Sequence, residues 1–239
     1  MLSEYAAIYR RVFAFVRAMP LIAAVPLIVQ LAQALLAHGG FVPVDRIETA
    51  LLLFRLLNTL AMLVVMVHAL RWWRFQGDRR RVRRMGLRVL VGVVVMMTIQ
   101  LTDEYLFVSA GHLAAHLLGY GRAWLVPGAV LLWMLVSIPL YPWYVALITD
   151  DHELTFREAV RRIRAKWVAC FLLVLSALAP LLIIGTTVRS LRMSLPYASP
   201  WQRPLEVVAM FLVPMLIMVT ASAYLAVYRI AYRGNLPVD

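Results

Sequence analysis

Apolar residues along the chain gather into six long windows, at about 18–37, 50–70, 87–108, 123–148, 167–188 and 205–228, with short charged connections between them. A helix needs roughly 20 consecutive apolar residues to cross a hydrocarbon core of ~30 Å, and each window meets that length. Within them no period of two recurs, so the pattern predicts an all-α integral membrane protein of six transmembrane helices. Two further segments repeat every three to four residues. In SEYAAIYRRVFAFVR, Tyr5, Ile8, Tyr9, Val12 and Val16 fall on one face, with Glu4, Arg10, Arg11 and Arg17 mostly elsewhere. In LTFREAVRRIRAKW the stripe is Phe156, Val160, Ile163 and Trp167, and Thr155 with Glu158 forms a T-x-x-E capping box. Both predict amphipathic lead-in helices lying on the inner leaflet.

Arginine sets the orientation. Arg10, Arg11 and Arg17, the run Arg71, Arg74, Arg79, Arg80, Arg81, Arg83, Arg84 and Arg88, then Arg157, Arg161, Arg162, Arg164 and Lys166, and finally Arg229 and Arg233 all fall on one side of a six-span chain. The other side holds Arg46, Arg122, Arg189, Arg192 and Arg203. Eighteen basic residues against five place both termini in the cytoplasm. The basic N-terminal segment is read as retained, because its first ~19 residues are amphipathic and do not form a short signal-peptide n-region.

Composition agrees. Of 239 residues 63% are hydrophobic and 15% charged, more apolar surface than a soluble domain of this length can bury. The net charge of +12 comes with arginines at segment ends, which points to anionic phospholipid at the cytoplasmic face and not to nucleic acid. Arginine almost excludes lysine, a codon bias read as that of a GC-rich bacterial genome, so the expected location is a bacterial inner membrane. The densest basic run, GDRRRVRRMGLR, makes Arg79, Arg80, Arg81, Arg83 and Arg84 candidate lipid contacts, joined by Arg161 and Arg162. The single cysteine, Cys170, excludes an internal disulfide and reads as a small buried residue.

A tetrad recurs before each helix that leaves the cytoplasm: YRRV at 9–12, VRRM at 82–85 and VRRI at 160–163. The chain is one polytopic domain over 1–239, and the tetrads fit three parallel helical hairpins, about 1–70, 78–148 and 155–231. Positive-inside pressure alone is the other account of the same pairs. Proline falls within most windows, at Pro20, Pro26, Pro127, Pro139, Pro142, Pro180 and Pro214, as expected of kinked helices in a membrane bundle.

The lead-in SEYAAIYRRVFAFVRAMP, and LTFREAVRRIRAKW after the proline-rich SIPLYPWYVAL, resemble bacterial six-helix inner-membrane proteins similar to the membrane domain of glycerophosphoryl diester phosphodiesterases. The resemblance covers the layout of the chain. It implies an envelope membrane protein and carries over no catalytic residue.

One stretch resists a purely lipidic reading. QLTDEYLF places Asp103 and Glu104 inside the third window. Asp103 stands about 22 Å from Arg88 along a helix, Arg55 about 24 Å from Arg71, and Gln33 about 24 Å from Arg17. The coincidence of height predicts a polar intramembrane layer of Gln30, Gln33, Arg55, Asn58, Gln100, Asp103 and Glu104, with Arg55 paired to Asp103 or Glu104. Glu48, seven residues before Arg55, is an alternative partner. The layer serves either as a structural knot or as a site for a polar headgroup, an ion or a proton.

His112 and His116 stand at the i, i+4 spacing of a metal pair, but no H-E-x-x-H accompanies them. No phosphate-loop, nucleophile-elbow or dinucleotide motif is present in the sequence. No catalytic residue, metal or cofactor is therefore assigned. The expected function is a non-enzymatic membrane protein that interacts with lipids or partner proteins. A small transporter or channel using the layer around Arg55 and Asp103 is the alternative, and a membrane-embedded enzyme a third.

Overall fold

The computed structural model of the chain describes residues 2–38, 47–102, 113, 116, 122–196 and 199–232, and every element among them is helical. In order these are α1 (Leu2–Ala18), α2 (Pro20–His38), α3 (Ile47–Arg74), α4 (Arg79–Arg83), α5 (Leu87–Thr102), α6 (Arg122–Ser137), α7 (Leu140–Ile148), α8 (Phe156–Ile163), a 3₁₀ turn (Arg164–Lys166), α9 (Trp167–Ser194) and α10 (Gln202–Ala231). Among the described residues, three helices are long and apolar enough to cross a membrane: Leu52–Arg74, the run Phe156–Ser194, and Gln202–Ala231. Counting each bent pair, α1 with α2 and α6 with α7, as one span raises the number to five. The window at 87–108 is met by α5 as far as Thr102, and its remainder lies outside the described residues.

Two compact units divide the chain: Met1–Arg83 with Leu175–Ala223, and Arg84–Val174 with Tyr224–Asp239. In the first, the chain turns through 90° between α1 and α2. Pro20 is the first residue of α2, the helical position where a missing N–H leaves no bond unmade. The expected lipid-facing stripe of α1 turns inward instead. Ile8, Val12 and Phe15 are fully buried, and α1 packs on α2 and α3.

Its buried face is centred about 50° from the face expected from Tyr5, Ile8, Tyr9, Val12 and Val16. The tyrosines are the reason. Their hydroxyls need partners, so they sit on the flank of the buried face. Tyr9 donates to the Ala177 carbonyl of α9 at 2.8 Å. The Trp73 indole N–H donates to Arg11 O at 3.0 Å, Phe15 meets the Trp73 ring edge-on, and Ser222 of α10 donates to Ile8 O at 3.2 Å. Phe13, 64% exposed, is a large apolar side chain that α1 turns outward.

In the second unit, α6 and α7 meet at a 60° bend around Pro139. Proline has no N–H, so the carbonyl four residues earlier, that of Leu135, lacks its i+4 donor and is met within the helix only by the Ile138 N–H at 3.4 Å. Trp167 at the start of α9 supplies another donor, its indole N–H lying 2.6 Å from Leu135 O. The break is thus a kink satisfied by a neighbouring helix. Replacing Trp167 with phenylalanine keeps an aromatic ring and removes the donor. The expected cost is about 1 kcal/mol, the scale of interhelical hydrogen bonds in membranes. It is read as a fall of roughly 2–4 °C in the unfolding midpoint in detergent.

Below the bend, Tyr141 of α7 stacks on Tyr224 of α10 with centroids 3.9 Å apart, and Trp143 meets Phe156 of α8 edge-on. The loop into α8 is tied to the end of α10 by two tyrosine–carboxylate bonds, Tyr228 to Asp151 and Tyr232 to Glu153, each 2.5 Å. Thr155 caps α8 as its sequence predicts, accepting the Glu158 N–H at 3.4 Å. Ala159 and Ile163 are the fully buried positions of α8, whereas Phe156, expected in the buried stripe, is 46% exposed.

Candidate functional site

The site is built where α3 leaves its apolar stretch. Trp72 and Trp73 stand in its last turn. The helix is closed by the Gly77 N–H, which reaches back to Trp72 O at 3.0 Å, with Gln76 and Gly77 both left-handed at φ 48° and 81°. A Cβ at Gly77 would stand 3.0 Å from two ring atoms of Trp72, so glycine lets the turn close on the indole. Gln76 has no such freedom. A Gln76→Gly substitution is expected to stabilise the protein by about 0.5–1 kcal/mol, the left-handed penalty less the extra backbone entropy of glycine. A raised unfolding midpoint in detergent is the readout.

Asp78 then starts α4. Its Oδ1 accepts the Arg80 N–H at 2.9 Å and the Arg81 N–H at 3.4 Å, capping a helix of five residues that could not stand alone. Two contacts hold that helix to the protein. Val82 is fully buried, and Arg71, itself only 2% exposed, donates from Nε to Val82 O at 3.0 Å and from Nη2 to Arg81 O at 2.6 Å. The same guanidinium lies over the Phe75 ring, 5.0 Å from its centroid. A planar fork is suited to bridging two successive carbonyls in this way, whereas an ammonium is a point donor.

With Val82 turned inward, the arginines turn out. Arg79, Arg80, Arg81 and Arg83 are all exposed. Arg81 lies 3.6 Å from Asp78, which offsets its charge. At about 100° per residue, Arg79, Arg83 and Arg80 share an arc of about 100°. No ion pair is formed by these three among the described residues. The turn therefore presents three clustered positive charges on a fixed backbone, beside the end of a helix long enough to span a membrane.

The other expected contacts are placed differently. Arg84, exposed, follows in the second unit. Arg161 and Arg162 both donate to Glu158 Oε1, at 2.7 and 2.5 Å, and Arg162 also reaches Ala231 O at 3.4 Å. Arg162 thereby ties α8 to the end of α10. Arg162 first, then Arg161, hold the Glu158 carboxyl below its ordinary range through these hydrogen bonds. The pairing is present above the unfolded carboxylate range and is lost as pH falls through the depressed value.

Of the polar layer, Gln30, Gln33 and Asn58 are half-buried on the adjacent helices α2 and α3, and Arg55 is exposed. Gln30 Nε2 and Asn58 Oδ1 are buried without a hydrogen-bond partner, and Arg55 O accepts the Thr59 hydroxyl at 3.0 Å. Asp103, Glu104 and the side chain of Gln100 lie outside the described residues, so both pairings expected of Arg55 lie there too. His112 is also outside them, and His116 is exposed. The described residues contain no group of three or more His, Cys, Asp or Glu placed to hold a metal ion.

The tetrads differ in setting. In YRRV and VRRI the apolar residue after the arginine pair, Val12 or Ile163, is fully buried; in VRRM it is Val82, before the pair, and Met85 is 44% exposed. The role of Arg71 was not visible in a count of charges by loop. The signal that was present is the tripeptide Gln76-Gly77-Asp78, a helix stop followed by a cap, which marks a built turn in place of a loose basic linker. No family model, curated protein or solved structure matches this chain.

Proposed function

We propose that this chain is a non-enzymatic protein of a bacterial inner membrane, with six spans and both termini in the cytoplasm, whose basic turn α4 holds anionic phospholipid headgroups. The observation that carries the reading is the cluster of Arg79, Arg80 and Arg83, without an ion pair among the described residues, on a helix fixed by Arg71 and Val82 and separated by four residues from the end of a helix long enough to span. Basic residues next to a membrane attract anionic lipid by about 1 kcal/mol per charge, and a fixed turn directs that attraction to one place. The eighteen-to-five division of basic residues supports the orientation, and the apolar window at 87–108, of which α5 is the described part, supports a sixth span.

The test is lipid-dependent stability. In neutral detergent, anionic phospholipid is expected to raise the unfolding midpoint of the parent more than zwitterionic phospholipid does. The Arg79→Gln, Arg80→Gln, Arg83→Gln triple variant should lose the difference and keep the lipid-free midpoint. An equal response to both lipids, or a triple variant that responds like the parent, would sink the reading.

A second reading, a small transporter or channel, draws on Gln30 Nε2 and Asn58 Oδ1, two buried polar atoms without partners on adjacent helices. Solute or ion flux in reconstituted vesicles that falls on Asn58→Leu would favour it. The absence of flux would remove it.

A further inference from the structure

Resting on the lipid reading, we infer that α4 is shaped for one headgroup carrying two phosphates, a glycerol-bridged two-phosphate phospholipid, in preference to headgroups with one. Arg80 and Arg83 stand one helical turn apart, with Cβ atoms about 5–6 Å from each other, and Arg79 flanks Arg83 at the next turn position. Each guanidinium presents a planar pair of N–H groups that matches one phosphate. A singly charged headgroup on this arc neutralises one arginine and leaves two like charges side by side. A doubly charged headgroup leaves one.

Linkage adds to the charge argument. Once the first phosphate is bound, the second arrives from the same molecule at a high effective concentration, and no second lipid has to be recruited. Position selects a lipid over a free anion. The helix that leads into the turn, α3, carries an exposed apolar stripe of Leu53, Leu57, Leu60 and Val64, against which acyl chains can lie. Arg71 is a positioning residue here. It touches no headgroup, but through the carbonyls of Arg81 and Val82 it sets where the three guanidinium groups stand.

The experiment is a binding titration on the full chain in neutral micelles, read by native mass spectrometry. The probes are a glycerol-bridged two-phosphate lipid and a one-phosphate lipid at matched total phosphate, with inorganic pyrophosphate as the free anion. The two-phosphate lipid is expected to bind the parent at least tenfold more tightly than the one-phosphate lipid, and more tightly than pyrophosphate. Arg80→Gln with Arg83→Gln should bring the two lipids within about twofold of each other, with the lipid-free unfolding midpoint unchanged.

Equal affinity for both lipids in the parent, with both lost in the triple variant, would overturn this inference and leave the lipid reading standing. Pyrophosphate binding as tightly as the two-phosphate lipid would overturn the lipid source. Binding of no anionic probe would overturn the inference and the reading together.

Discussion

Leucine at Gly92 is expected to force α5 away from α7 and to lower the unfolding midpoint in detergent by roughly 6–12 °C, the equivalent of about 3 kcal/mol. The reason is already visible for a single added carbon. A Cβ at Gly92 would lie 2.9 Å from Ile148 Cδ1 and 3.0 Å from Leu147 Cβ. The first of these atoms ends a flexible side chain and can move. The second is fixed to the backbone of α7, so the helices themselves must separate. Within a bilayer, lipid tails are as apolar as a protein core, and helices associate through close packing of small residues.

Separation at Gly92 therefore loses the interaction that holds this pair together. Gly185 is the control: nothing lies within 4 Å of its Cβ position. Gly185→Ala should be neutral or stabilise by up to about 1 kcal/mol, from helix propensity alone. If Gly92→Leu and Gly185→Ala behave alike, the packing of α5 on α7 has no such constraint.

Methionine at Arg71 is the second large effect. It removes two charge-assisted hydrogen bonds to backbone carbonyls and the contact with Phe75, while keeping an unbranched side chain of similar length. Such bonds contribute about 1.5–3 kcal/mol each, and the variant no longer has a guanidinium to desolvate, which offsets part of that, so the expected net loss is about 2–4 kcal/mol. The more telling consequence is functional. The exposed arginines are untouched, yet the preference for anionic lipid should fall with the clamp, because α4 no longer presents them as a unit. Arg71→Lys restores the charge without the fork, and is expected to recover stability only in part. A variant that loses stability but keeps the full lipid response would separate the clamp from the site.

These effects mark what the sequence could and could not convey. The apolar windows found the helices because a bilayer demands length and hydropathy of every span, and both can be read from composition. The cap at Thr155 was legible for a related reason: it depends on residues three apart. The face of α1 was not. Apolar periodicity counts Tyr5 and Tyr9 as core, whereas the Tyr9 hydroxyl sits on the flank where Ala177 O can accept it, and Phe15 joins Ile8 and Val12 in the buried face.

Arg71 was hidden by the same count of charges from which the orientation is proposed. A loop count treats every arginine alike, and the difference between a buried clamp and an exposed contact arises only when Val82 turns inward. Height along a helix also says nothing of azimuth, so the coincident depths of Gln33, Arg55 and Asp103 do not by themselves determine which side chains meet.

The lipid reading stands on one placement, α4 against the cytoplasmic headgroups, and a single labelling measurement tests it. In a Cys170→Ser background, Arg80→Cys introduces the sole thiol at an exposed position of the turn. A membrane-impermeant maleimide is applied to sealed vesicles of each orientation. The account predicts labelling from the cytoplasmic side alone, at a rate set by an exposed residue. Labelling from the outer side, or from neither, would contradict it.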